Sequence, residues 1–108
     1  MSSDKRKSPR FPIEQFIDVS FGRETFVKAT GLDISASGMR CELEGPLDPY
    51  ASIYILLKIS EEETIEVNGI IVRVEKKGAS KYIVGIEFSD DMYDEDKTKL
   101  KKYIKNLK

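Results

Sequence analysis

The sequence contains no histidine and a single cysteine, Cys41, among its 108 residues. The first absence excludes histidine-based acid–base catalysis and any Ser-His-Asp triad. The two together remove most of the nitrogen and sulfur ligands from which zinc sites are built. One cysteine cannot form an internal disulfide, so a reducing cytoplasm is the expected location. No apolar run approaches the ~18 residues that a membrane helix needs, and no membrane insertion is expected. The basic start, Met1 to Lys7, is followed by no apolar segment and does not read as a signal peptide. Carboxylates are plentiful, but they fall in runs such as Glu61-Glu62-Glu63 and Asp94-Glu95-Asp96, which suit a solvated loop and a helix start. Nothing here points to an enzyme, a metal or a cofactor.

What is present begins with charge, and it is unevenly placed. The formal net charge of −1 hides two basic ends. Residues 1–10 carry Lys5, Arg6, Lys7 and Arg10 against Asp4, and residues 97–108 carry six lysines and no acid. Residues 11–96 hold 8 basic and 18 acidic residues. An anionic ligand is therefore to be sought at the ends of the chain, not on its body. The polar start lacks the apolar surface to offset its ordering entropy, so residues 1–11 are expected to form a flexible arm.

After the arm, the hydrophobic period is two. Ile17, Val19 and Phe21 alternate with polar residues in a first strand, Gln15 to Phe21. A second strand is expected from Thr25 to Leu32. The third, from Met39 to Leu43, has Met39, Cys41 and Leu43 on one face and Arg40 on the other. A dense apolar run from Ser52 to Ile59 makes the fourth. The fifth is long, Thr64 to Glu75, and its inward set is expected to switch from Ile65 and Val67 to Ile70, Val72 and Val74, with a bulge at Gly69. The sixth is Lys81 to Phe88. The period then changes: Leu100, Tyr103, Ile104 and Leu107 share one helical face. Acids open this segment and lysines follow, as the helix dipole favours. A six-stranded antiparallel β-barrel (residues 15–89) with a C-terminal helix (94–107) follows, all-β but for that helix, in one domain.

Two clusters stand out. Between the second and third strands lies Asp33-Ile34-Ser35-Ala36-Ser37-Gly38. Such residues make turns, because Asp and Ser oxygens bond nearby backbone N–H groups and Gly is conformationally free. The other cluster is Arg6-Lys7-Ser8-Pro9-Arg10. An arginine fork can clamp phosphate or read the O6/N7 edge of guanine. The Asp33 carboxylate can accept from guanine N1–H and N2–H₂, with Ser35 beside it. A ligand that uses both clusters is an anionic guanine nucleotide.

At these residues the chain resembles the PilZ domain family, bacterial receptors for the second messenger cyclic di-GMP. The motifs are Arg6-x-x-x-Arg10 and Asp33-x-Ser35-x-x-Gly38; Gly69 to Arg73 and Tyr82 to Phe88 are similar to two later family strands. The resemblance implies a split barrel whose arm wraps a ligand on the barrel surface. It implies that Arg6 and Arg10 contact phosphate and guanine, that Asp33 and Ser35 hold a guanine edge, and that Gly38 keeps the turn open. Lys5 and Arg40 are possible auxiliary contacts; Lys5, just before the first arginine, does not decide between one ligand and two. The expected output is a relay to an unidentified protein partner, in motility, biofilm or exopolysaccharide control. The alternative is a ligand-independent interaction adaptor. Binding to a nucleic acid polymer is not expected, because the body is acidic and lacks a row of aromatics on basic strands.

Overall fold

The structure is a computed structural model that describes residues 10–21, 26–45, 48–90 and 92–107. Six strands and one helix account for most of them: β1 (Phe11–Ser20), β2 (Val27–Ile34), β3 (Gly38–Glu44), β4 (Ser52–Lys58), β5 (Thr64–Lys76), β6 (Lys81–Phe88) and α1 (Asp94–Lys105). Every pairing is antiparallel, and the order β1-β2-β3-β6-β5-β4 closes on itself through β1 and β4. Closure removes the sheet edges that would otherwise be open to other chains.

Alternation does most of the sorting. Ile17 and Val19, Met39 and Cys41, Ile53, Ile55 and Leu57, and Val84 and Ile86 all point into the barrel and are buried. Leu100 and Ile104 of α1 join the same core, and Tyr103 and Leu107 pack against it. The acids Asp94, Glu95 and Asp96 occupy the first helical turn, and Lys102 and Lys105 the last. Lys99 pairs with Glu63 at 2.8 Å and ties the helix to the segment before β5.

Several expectations are displaced. β1 starts at Phe11, four residues before the expected strand, because Phe11 and Pro12 pair with Ile34 and Asp33 of β2. Phe21 does not face the core: β1 ends at Ser20, and Phe21 is exposed. β2 begins at Val27 and runs two residues further than expected, to Ile34. The fifth strand does not slip at Gly69. Ile65, Val67, Gly69 and Ile71 stay in phase and buried, while Ile70 and Val72 face out. The slip lies between Ile71 and Arg73. Gly69 has a different cause: a Cβ there would stand 2.6 Å from Ile86 Cγ2 and 2.8 Å from the Glu87 carbonyl oxygen.

The register irregularities in β1, β2 and β5 fall between Pro12 and Gln15, Gly31 and Asp33, and Ile71 and Arg73. All three border one cross-strand row, in which Pro12, Asp33, Arg40, Gly85 and Arg73 are successive partners. Bulges re-aim side chains, and here they act on a single band of the barrel wall.

Candidate functional site

The band is built on β2. Ala29 and Gly31 face inward, and strict alternation would send Asp33 after them. The slip at Leu32 prevents this: Ile34 fills the interior position, fully buried, and Asp33 lies opposite Arg40. The Asp33 side chain is nevertheless only 12% exposed, because arginines cover it. A carboxylate this enclosed needs paired donors. Arg10 Nη1 donates to Oδ1 at 2.9 Å, and Arg40 donates to Oδ2 through Nε at 2.8 Å. Arg40 Nη2 also lies 2.8 Å from Oδ2. The two arginines remain about half exposed, at 51% and 46%. The hydrogen bond to Asp33, and then its charge, raise the Arg40 pKa above its ordinary value, with Glu75 adding to the effect.

The turn beyond Asp33 is held from inside. The Ser35 N–H donates to the Gly38 carbonyl at 2.8 Å and closes the hairpin. Ser35 Oγ accepts from the Ser37 N–H at 3.2 Å and donates to the Gly38 carbonyl at 3.3 Å. The Ser37 carbonyl in turn accepts from the Phe88 N–H of β6 at 2.8 Å. Ser35, expected beside Asp33 at a guanine edge, is thus buried with its hydroxyl engaged in the turn. Ala36 and Ser37 are the exposed residues of the loop.

Gly38 stands where the backbone of another strand comes close. No described glycine has a positive φ. A Cβ on Gly38 would instead strike the carbonyl oxygen of Ile86. The close approach of β3 and β6 is enough to require a glycine here.

Arg10 is the first described residue, so one half of the arginine pair is in the site. Arg6 and Lys5 lie outside the described residues, as do the other residues of the arm before Arg10. Arg40, legible from its alternation with Met39 and Cys41, joins Arg10 at the same carboxylate. The outward turn of Asp33 was not legible, since it depends on register against β3. No cluster that could hold a metal ion occurs among the described residues. What the site offers is a fixed carboxylate acceptor under two guanidinium groups whose outer faces meet solvent. Such an arrangement suits a ligand with both an anionic group and a planar donor edge.

The chain is thus a closed six-stranded barrel with one helix that carries an arginine–carboxylate site beside a Ser/Gly turn. The PilZ domain model matches residues 4–106, and the chain belongs to that family. Among solved structures it is similar to the Bacillus subtilis inhibitor of motility MotI/DgrA, with a TM-score of 0.72 at 19% identity over 94% of this chain and 50% of that one. It is likewise similar to the K. pneumonia MrkH–c-di-GMP complex, with a TM-score of 0.75 at 19% identity over 94% and 52%. MrkH in its apo state gives 0.69 at 17% identity over 92% and 49%. The chain therefore spans about half the length of these proteins, and at such identities the likeness concerns the fold. No curated protein matches the sequence significantly. No helix among the described residues is long and apolar enough to cross a membrane.

Proposed function

We propose that the protein is a receptor for cyclic di-GMP that relays ligand binding to a partner protein. The observation that carries this reading is the Asp33 carboxylate held between Arg10 and Arg40 on the outer wall of a PilZ barrel. The similar structures include a complex with cyclic di-GMP.

The geometry favours an exchange. Asp33 is too covered to meet a guanine edge while Arg10 stays on Oδ1. Arg40 is anchored in mid-strand through Oδ2, whereas Arg10 precedes the first strand and makes one contact there. In the proposed step Arg10 leaves Oδ1 for a ligand phosphate, joined by Arg6. The guanine N1–H and N2–H₂ take its place on Asp33. Ser35 and Gly38 act by keeping the turn in shape. Lys5 adds positive charge next to the clamp. Each exchange replaces one charge-assisted bond by another, so the site loses no partner on binding.

The hydrogen bonds of Ser37 with Phe88 of β6 and of Gln15 of β1 with Tyr103 of α1 would carry a change at the site to its neighbours. The partner is a protein whose docking surface changes when the arm is ordered. The similar structures include an inhibitor of motility and a c-di-GMP-dependent transcription regulatory factor. Outputs of more than one kind are therefore open to a receptor of this fold.

Titration calorimetry with cyclic di-GMP tests the reading. Binding is expected, and Arg6→Ala and Arg10→Ala should each weaken it by about 10–100-fold, the equivalent of one or two charge-assisted bonds. Unchanged affinity in both variants overturns the arginine clamp. No binding at concentrations on the order of tens of micromolar overturns the receptor and leaves the ligand-independent adaptor.

A further inference from the structure

Lys97, Lys101 and Lys105 recur every four residues and share one face of α1. The helix dipole accounts for Lys105, which stands in the last turn. It does not account for Lys97, the fourth residue of the helix, whose N–H bonds the Tyr93 carbonyl at 2.9 Å. That end of the dipole favours acids, and like charges four apart destabilise a helix. Lys99 differs, since it is paired with Glu63 and Glu95. Among the described residues, none of the three lysines in the stripe has an acid within ion-pair distance. The helix thus carries a row of cations that its own stability does not call for.

The first part of this stripe borders a cleft of about 330 Å³ between α1 and the turn that joins β2 to β3. Lys97 and Lys101 line it from the helix, Ala36 and Ser37 from the turn, and Phe88 and Met92 add apolar surface. Ala36 and Ser37 are the exposed residues of the turn that follows Asp33. The Ser37 carbonyl accepts from the Phe88 N–H at 2.8 Å, so the turn is fixed to the same cleft. Glu87 and Asp90 line the cleft from the β6 side. Its charge is therefore divided, with cations on the helix and carboxylates on the strand side.

We infer that this cleft receives an extended segment of the partner protein in which acidic and apolar residues alternate, with the acids facing α1. The link of this docking to cyclic di-GMP rests on the receptor reading above. Four helical residues rise about 6 Å, and alternate residues of an extended chain stand about 6.6 Å apart. Acids at every second position therefore meet Lys97, Lys101 and Lys105 in turn. The residues between them point the other way, toward Phe88 and Met92, where apolar side chains leave water. Glu87 and Asp90 repel the acids from the strand side and so fix the orientation of the segment. A ligand that shifts the chain at Asp33 moves Ala36 and Ser37 and alters one wall of the cleft. By reciprocity the docked segment changes ligand affinity by the same factor.

The test uses the full chain and a labelled synthetic peptide, Glu-Leu-Glu-Leu-Glu, read by fluorescence anisotropy. The wild-type chain should bind it about tenfold more tightly than Gln-Leu-Gln-Leu-Gln or Glu-Ser-Glu-Ser-Glu. The double variant Lys97→Gln, Lys101→Gln should bind it about tenfold more weakly. Its melting temperature should not fall, since no ion pair is lost, and without peptide it should bind cyclic di-GMP as the wild type does. Lys28→Ala, which removes a surface cation on β2, should leave peptide binding unchanged. Saturating cyclic di-GMP should change the peptide affinity about fivefold or more, and an unchanged affinity overturns the link between the two sites. Equal binding of the three peptides, an unaffected double variant, or capture of the chain by phosphatidylglycerol vesicles but not by the peptide overturns the docking surface and leaves the receptor standing. If cyclic di-GMP does not bind the wild-type chain, the receptor reading falls and the link with it, while the peptide comparison still decides the docking surface.

Discussion

Asp33 owes its enclosed position to its two arginine partners. Its charge is largely withdrawn from water, and two guanidinium groups offset the cost. Gly38, five residues on, has a steric task. Replacing it by alanine puts a methyl group against the Ile86 carbonyl and forces β3 away from β6. Overpacking of this kind costs about 1–3 kcal/mol, so Gly38→Ala should melt several degrees lower than the wild-type chain. Any loss of cyclic di-GMP affinity in that variant should shrink as the temperature is lowered and the fold recovers. A variant with unchanged melting temperature and lost binding would return Gly38 to the role of ligand contact. The Asp-x-Ser-x-x-Gly pattern is legible in the sequence because turn chemistry is local. Which strand Gly38 must clear is not, since that depends on Ile86, far along the chain in β6.

At the scale of elements, the strands and the helix are legible because period two and period 3.6 are properties of short stretches. The slips are not. Gly69 is the residue that the sequence marks for a bulge, yet the irregularity sits at Val72, where β5 must adjust to β6. The turn of Asp33 to the outside is likewise a matter of register against β3. The attachment of α1 gives a prediction at this scale. Tyr103 donates its hydroxyl to Gln15 Oε1 at 2.6 Å, and Gln15 Nε2 donates to the Lys58 carbonyl at 3.1 Å. One glutamine thereby joins β1, the end of β4 and the helix. Tyr103→Phe keeps the ring packing and deletes the bond, which should lower stability by about 1 kcal/mol. In a urea melt the midpoint should fall with an unchanged slope, and hydrogen exchange should quicken in α1 before the barrel. Uniform exchange across all elements would show that the helix is not held separately by this contact.

For the molecule as a whole, the barrel interior sets the response to alkaline pH. Cys41 is fully buried between Met39 and Leu43 positions of β3, and loss of hydration pushes its thiol up from 9.0 to about 12. The unfolded chain ionises near the ordinary value, whereas the folded chain keeps the proton. Above pH 9 the unfolded state therefore binds fewer protons than the native state, and stability must fall as pH rises. Cys41 alone should remove roughly 1 kcal/mol for each pH unit above 9. Tyr103, raised from 10.0 by burial, and Lys99, raised from 10.5 mainly by its bond to Glu63, act in the same direction at higher pH. Their windows open later, so the interval between pH 9 and 10 isolates the thiol. Cys41→Val supplies a buried apolar side chain with no proton to lose. Its melting temperature should stay nearly level across that interval while that of the wild-type chain declines. In parallel, a thiol reagent at pH 8 should label the native chain only as fast as the barrel opens. Rapid native labelling, or the same alkaline slope in both chains, would mean that Cys41 is hydrated and that the barrel is not closed around it.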